Sequence, residues 1–452
     1  MKSKKTKLQI ILSLALLFAQ VFPLAHISQA QESAPLTPDK TDASSVSSSS
    51  AALYLDLQNG LTADRAVALG LENNGEIQAL RKEAEAARAL VRQAGLRANP
   101  KIDASGAREI GGMSDNSLMV EGMLPLELGG RRAARIRVAQ AELSIRELAL
   151  QNQERLLAGE IRAKFGETLA RVEKLELVER MLSNTNQGYE IISAKVTEGR
   201  TPPLEQNQLN VEVNRLRSLR ETAEGQVETA VFELKNMIGM KPEEPLRLAG
   251  GFENLVAADV PTSDAAIEQA LRTRPDLLGA RALETLAVAS LKAGYQRMKS
   301  GFPVSGFDET GALSPVEGVF HFFTFGVEID LPVRNRNQGL IEAARLEQQA
   351  AQRRIEFGEL TVRREVSAAF ARYNRAVRSL SIFQNGVRNQ ASANLRVVWQ
   401  TYEYGRRNLS DYIAEERRFL DVENELVDAR LETYQTRIEI LRAANAPELI
   451  KK

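Results

Sequence analysis

A mainly α-helical chain with a small β part, built twice on one plan, is what the sequence predicts, and three observations carry it. First, two long stretches keep apolar residues at three- and four-residue steps, the pattern of a helix with one buried stripe. Ile136, Leu143, Leu150 and Leu157 recur at seven, and Ile161, Phe165, Leu169, Val172, Leu175, Val178 and Leu182 continue the stripe to near Thr197. About 65 residues at 1.5 Å each give a helix on the order of 100 Å long. Second, two short stretches switch to a period of two. Val319, His321, Phe323, Phe325, Val327, Ile329 and Leu331 alternate with a mixed face that includes Thr324, Gly326, Glu328 and Asp330, and Pro332, which cannot donate to a ladder, ends the strand. Leu118, Val120, Gly122 and Leu124 do the same before Pro125, with Glu121 at the register Glu328 holds before its own proline. Third, the order recurs. Asp264-Ala-Ala-Ile-Glu-Gln-Ala-Leu echoes Asp64-Arg-Ala-Val-Ala-Leu-Gly-Leu. The period is about two hundred residues, each unit reading helix, β-hairpin, long helix, turn, helix.

Taken in order, the chain opens with Lys2, Lys4, Lys5 and Lys7, an apolar run over residues 8–18, and Ser28-Gln29-Ala30. Residues 1–30 read as a secretory signal cleaved after Ala30. Residues 31–60, rich in Ser, Pro, Asp and Thr, read as a flexible leader. The first repeat spans 61–249. It begins with Thr62 as a helix N-cap, followed by a second helix whose Ile77, Leu80, Ala84, Ala87 and Val91 share a face until Asn99-Pro100 stops it. A β-hairpin is expected at about 100–128, turning at residues 111–116, and the long helix follows Gly129-Gly130. Gly199-Arg200-Thr201-Pro202-Pro203 breaks that helix, and Leu209, Val213, Leu216, Leu219 and Val227 mark a returning one, making an αα-hairpin. Residues 250–262 form a connector, with a short strand candidate just before it at 246–248. The second repeat spans 263–446: Pro303 stands where Pro100 stood, and a hairpin is expected at about 303–333. A continuous long helix is expected from Gly339 to about Tyr402, with Ile355, Val362, Val366, Tyr373, Leu380, Val387 and Val398 at coiled-coil spacings, then a turn at 405–409 and a returning helix.

Composition removes several function classes. The 452 residues carry 59 basic and 59 acidic side chains, so no electrostatic argument points to nucleic acid. Without cysteine there is no disulfide, no thiolate metal ligand and no lipid on an N-terminal Cys. His321 is the only histidine outside the signal, so neither a Ser-His-Asp arrangement nor a His-rich zinc site can be assembled. The chain is therefore expected to be no enzyme, with no cofactor and no metal centre; Met119, Met123, Met237 and Met240 read as packing residues rather than copper ligands. No segment after the signal has eighteen consecutive apolar residues, so any further membrane passage must be β. On a barrel wall Glu121 and Glu328 would face a water-filled lumen; the other reading has them solvating strand ends near a rim.

The segments PLELGGRRAARIRVAQAE at 125–142 and LPVRNRNQGLIEAARLE at 331–347, placed between β-hairpins and helical hairpins, resemble the TolC family of outer-membrane efflux ducts, and within it most the branch serving cobalt-zinc-cadmium and copper efflux. The resemblance covers residues 61–444. It implies a homotrimer in which four strands per chain close a twelve-stranded transmembrane barrel in outer-membrane lipid, while the helices form a hollow tube across the periplasm of a Gram-negative cell. The implied function is that of a passive exit duct of a tripartite efflux system, joined by a periplasmic adaptor to an inner-membrane pump of the resistance-nodulation-division type and conducting heavy-metal cations. The family's hairpin ends are periplasmic tips that pinch the tube shut and meet the adaptor. Carried over by position, Asp411 belongs to an acidic constriction ring, and Arg407, Glu205 and Tyr402 tie the closed tips together. The second ring acid of the pattern is Ala414 here, followed by Glu415 and Glu416, which brings Glu415 into the candidate gate. The adaptor-facing residues are then Gly199, Arg200, Thr201, Gly405, Arg406 and Leu409. Ordinary solvated turn charges are the plainer reading of the tips. Other readings of the chain are a duct for drugs or other small organic molecules, a periplasmic adaptor, or a coiled-coil scaffold without a pore; adaptors normally have one helical hairpin beside a lipoyl-like β domain, and this chain has two.

Overall fold

Each long helix is entered through a left-handed residue and left through a left-handed glycine, and the chain path follows from these four reversals. Gly130 (φ 79°) precedes the first long helix and Asn337 (φ 56°) the second, while Gly199 (φ 71°) and Gly405 (φ 68°) end them. The computed structural model describes residues 50–108, 116–124, 127, 130–251, 260–299, 307–313, 319–325 and 334–450. The signal segment 1–30, Ala30, most of the leader, and Glu328 lie outside the described residues.

The first repeat comprises α1 (Ala63–Asn73), α2 (Gly75–Ala94), β1 (Lys101–Arg108), β2 (Asn116–Met123), α3 (Arg131–Thr197) and α4 (Pro203–Met237). Thr62 caps α1 by accepting from the Arg65 amide at 3.2 Å, and Asn74 caps α2 by accepting from the amides of Glu76 (3.0 Å) and Ile77 (3.3 Å). The second repeat comprises α5 (Ser263–Thr273), α6 (Pro275–Lys299), β3 (Phe307–Leu313), β4 (Val319–Phe325), α7 (Gln338–Ile382), a π-helical turn (Phe383–Val387), α8 (Arg388–Glu403) and α9 (Leu409–Ala444). Arg274 replaces the capping Asn74. It is 4% exposed and its guanidinium donates to Asp276 (2.5 Å) and Glu365 (2.6 Å), so a buried arginine bridging two partly exposed acids joins α5, α6 and α7 where a side-chain cap served the first repeat. Despite its own burial, Asp276 is held below the usual carboxylate range by that arginine.

One expectation is refined and one corrected. The second long helix runs unbroken as expected but is not a uniform α-helix, because the π-helical turn inserts an extra residue into its winding. The leader does not extend to residue 60. Ser50–Leu53 is a 3-10 turn whose Ala51 is buried with Val172, Leu175, Val227 and Val231, and the Ser50 amide donates to Glu179 on α3 at 2.9 Å. Leu55 and Leu61 both bridge to Leu248, which is where the short strand candidate was expected. This segment is ordered because it covers an apolar strip between α3 and α4.

The four strands form one antiparallel sheet in the order β1-β2-β3-β4. In its register Asp103 stands opposite Glu121, Glu121 opposite Asp308, and Asp308 opposite Thr324. Ala104, Val120, Glu309 and Phe323 form the adjacent row, which pleat alternation places on the other face. Among the described residues β1 and β4 each pair on one side only, so the sheet has two open edges.

The largest core lies around α1 and the middle of α3, where Ile77, Ile161, Phe165, Leu234, Leu248, Tyr434 and Leu449 pack together. Arg162 fastens the end of the chain to it by donating to the carbonyls of Leu449 and Glu448, both at 2.9 Å. From this core the pairs α3/α4 and α8/α9 extend as two helical hairpins, packed on one another through smaller apolar layers.

Candidate functional site at the helical tips

Both tips are closed by the same backbone device. After α3 the Gly199 amide donates to Val196 O (2.9 Å) and Arg200 N to Lys195 O (2.8 Å); after α8, Gly405 N donates to Tyr402 O (2.8 Å) and Arg406 N to Thr401 O (2.9 Å). This pattern needs a left-handed residue, and glycine adopts that conformation without a Cβ penalty. Pro203 starts α4 immediately after the first turn, and Asn408 precedes α9 after the second.

Between the two hairpin ends lies a cleft of about 980 Å³ lined by Lys195, Arg200, Glu205, Arg396, Trp399, Tyr402, Arg407 and Tyr412 among others. Its floor is the apolar cluster Ile192, Leu209, Leu409 and Ile413. Trp399 packs on Tyr402 and Tyr412 with ring centroids 5.8 and 4.8 Å apart. The Tyr402 hydroxyl donates to Glu205 Oε2 at 2.7 Å, so α8 of one hairpin is bonded to α4 of the other. Burial raises the Tyr402 pKa, and the Glu205 carboxylate raises it further, which keeps the phenol protonated as a donor.

The sequence-derived tip residues divide accordingly. Tyr402 and Glu205 are brought together. Arg407 lines the same cleft and forms no ion pair among the described residues. Asp411 is exposed on the first turn of α9. Glu415 pairs with Arg418 at 3.1 Å along α9. Gly199, Arg200, Gly405 and Arg406 are exposed and Thr201 half-buried, with Arg200 paired to Glu198 at 2.9 Å. Leu409 is only 2% exposed; as the first residue of α9 it packs into the cleft floor and is not presented outward. Glu121 lies in β2 within the acidic row, and Glu328 falls outside the described residues.

One cluster was not anticipated. Glu212 on α4, 2% exposed, accepts from Arg215 at 2.8 Å and from Arg417 Nε at 2.9 Å, with Arg417 Nη2 on the same oxygen. Beside it Glu416 on α9 is 5% exposed, with Thr185 Oγ1 of α3 at 3.3 Å. Its position was readable in principle: Leu409, Ile413, Glu416 and Leu420 fall at the steps of one buried helical stripe, and three of the four are apolar. Among the described residues no group of three or more His, Cys, Asp or Glu is arranged to hold a metal ion, and no helix is long and apolar enough to cross a membrane.

The profile of the outer membrane efflux protein family matches residues 67–240. The chain is 22% identical over 386 residues to the cobalt-zinc-cadmium resistance protein CzcC of Cupriavidus metallidurans, covering 84% of this chain and 89% of that protein. In fold it is similar to CusC, a transmembrane channel, with a TM-score of 0.70 at 18% identity over 90% of this chain and 99% of the other. It is also similar to the Neisseria gonorrhoeae MtrE outer membrane channel, with a TM-score of 0.68 at 18% identity over 93% and 98%.

Proposed function

We propose that this chain, whose residues 67–240 match the outer membrane efflux protein family and whose fold is that of CusC, is a passive exit duct, not an enzyme, through which a tripartite system expels heavy-metal cations. The observation that carries the duct is the four-stranded sheet with two open edges. Unpaired edges are not tolerated in lipid, so a sheet that enters the outer membrane must be closed by other copies of itself, and three copies supply a barrel of about twelve strands. The long helices then hang as a periplasmic tube of about 100 Å, long enough to reach partners held by the inner membrane. An adaptor is the partner proposed for the exposed tips, with Arg200 and Arg406 offering charge beside the aromatic cleft. Residues 1–30 are the export signal in this reading.

Two observations favour a cationic substrate. CzcC is a cobalt-zinc-cadmium resistance protein, and the row Asp103, Glu121 and Asp308 would place carboxylates together on the polar face of the barrel wall. Like charges directly opposite one another destabilise a sheet unless water or counter-ions screen them, which suits a water-filled lumen that concentrates cations. The test is in two steps. Detergent-extracted protein should run as a heat-sensitive trimer and form cation-selective pores in planar bilayers; a monomer that leaves bilayers silent removes the duct. A deletion strain carrying a heavy-metal pump and adaptor should regain zinc or cobalt tolerance on expression. Recovery of dye or drug export with no change in metal tolerance would reassign the substrate to organic compounds.

A further inference from the structure

Just inside the tips, α9 presents a carboxylic acid where its buried stripe calls for an apolar side chain. Glu416 sits one turn from Leu420, which packs with Leu177, Val178, Met181 and Leu216, and one turn from Ile413, which packs with Ile192, Leu209 and Leu409. It is thus enclosed between two apolar layers at the junction of α3, α4 and α9. From α3 it meets the Thr185 hydroxyl; from α4 it faces the buried carboxylate of Glu212, with Arg215 beyond; from α9 itself come Tyr412 and Arg417.

The surroundings favour the acid over the anion: Glu416 is 5% exposed between two apolar layers and faces the carboxylate of Glu212, which outweighs the hydrogen bonds that Thr185 and Tyr412 offer the anion. Thr185 has one hydroxyl proton, and its shorter bond, 2.8 Å, goes to the carbonyl of Met181. Its contact with Glu416 Oε1 is the longer one, at 3.3 Å, so it compensates little of the cost of burying a charge there. Glu416 Oε2 is fully buried, which is costly for an anion and tolerable for a neutral acid. The nearest cation, Arg417, is already committed to Glu212.

We propose that Glu416 is a proton-controlled latch between the two helical hairpins: protonated, it lets α9 pack on α3 and α4, and on losing its proton to water it drives the tips apart. Burial, and then the charge of Glu212, push the Glu416 carboxyl up to about 7 from an ordinary 4.5. A raised carboxyl pKa in the packed state means that packing is favoured while the proton is bound and is progressively penalised as pH rises from the ordinary value to the raised one. Between about pH 5 and about pH 8 the packed-to-separated ratio should fall by up to about two orders of magnitude per chain.

The latch deepens the channel reading, yet its test does not depend on that reading. Because the chain has no cysteine, spin labels can be confined to Gln187→Cys on α3 and Ala414→Cys on α9, both exposed positions. In the detergent-solubilised full chain, a longer-distance population should grow between about pH 5 and about pH 8. With Glu416→Gln, a near-isosteric neutral mimic, the population should stay at its acidic value throughout. With Glu212→Gln the midpoint should move to lower pH, since the neighbouring negative charge is gone and Arg417 is released. A wild-type distance independent of pH, or a response unchanged in Glu416→Gln, overturns the latch. A distance response without any bilayer conductance leaves the latch standing and defeats the channel reading instead.

Discussion

The Tyr402 hydroxyl joins the two hairpins through the Glu205 carboxylate, which no arginine among the described residues shares. Tyr402→Phe keeps the ring against Trp399 and deletes only the bond to Glu205, so it should cost about 0.5 to 1.5 kcal/mol per chain at the tip. That loss is expected to raise the open fraction by roughly two- to tenfold per chain, read as increased single-channel conductance; an unchanged conductance would remove the bond from the gate. Arg407 calls for a different argument. With no acid partner among the described residues of its own chain, it would hold the tips closed by reaching a neighbouring copy. Arg407→Ser should then raise conductance in assembled trimers while leaving the unfolding of dissociated chains unchanged. Asp411, exposed at the start of α9, is positioned to act on ions rather than on packing, and Asp411→Ala should reduce cation preference and weaken block by multivalent cations at unchanged thermal stability. At this scale the sequence was half legible. Turn position and family pattern led to Tyr402, Glu205, Arg407 and Asp411, because turns advertise themselves through glycine and proline. The burial of Glu416 and Glu212 was harder to foresee, because a lone carboxylate in a charged helix reads as solvated until the stripe it interrupts is traced through Leu409, Ile413 and Leu420.

The elements hold two glycines in opposite situations, and one substitution should separate them. Gly405 has a left-handed backbone with open space where a Cβ would stand. Gly405→Ala therefore meets no steric neighbour and should destabilise the tip by about 1 to 2 kcal/mol through backbone strain alone. Gly386, inside the π-helical turn, is exposed and also has open space around its Cβ position, but its backbone is not left-handed. Gly386→Ala should stiffen the segment by up to about 1 kcal/mol. Hydrogen exchange of the peptides covering residues 383–408 should thus speed up in the first variant and slow down in the second; equal responses would contradict the assignment. The long helices, their reversals and the returning helices were all expected from apolar spacing and Gly-Pro punctuation. The π-helical turn was not, because Tyr373, Leu380 and Val387 keep their heptad spacing up to it and the extra residue shows only in the backbone. The ordered turn at Ser50–Leu53 was also hidden, since a serine-rich stretch carries no periodicity and is fixed by a distant glutamate.

Across the whole molecule the sheet register gives the sharpest test. Thr324 stands in the row of Asp103, Glu121 and Asp308, while Phe323 stands in the row of Val120. Spin labels at Phe323 and Phe325 should be quenched by lipid-soluble oxygen, and a label at Thr324 by a water-soluble relaxation agent; loss of that alternation would exclude a barrel wall. The alternation was legible because a strand with two different environments must repeat every two residues. Which strands neighbour one another, and hence that three acids share one row, was not, since register depends on pairing across two hundred residues. The repeat itself has a consequence that lies in its symmetry. α1 and α5 each run eleven residues, and α3 is matched by α7, the π-helical turn and α8. One extra residue in the second winding advances the residues beyond Val387 by about 100° around the axis relative to a uniform α-helix. In the proposed assembly of three such chains, the six helical hairpins would then fall into two alternating sets of three at the tips. A wide opening can be nearly sixfold, whereas a constriction built from only one of the two sets can draw together without crowding the second.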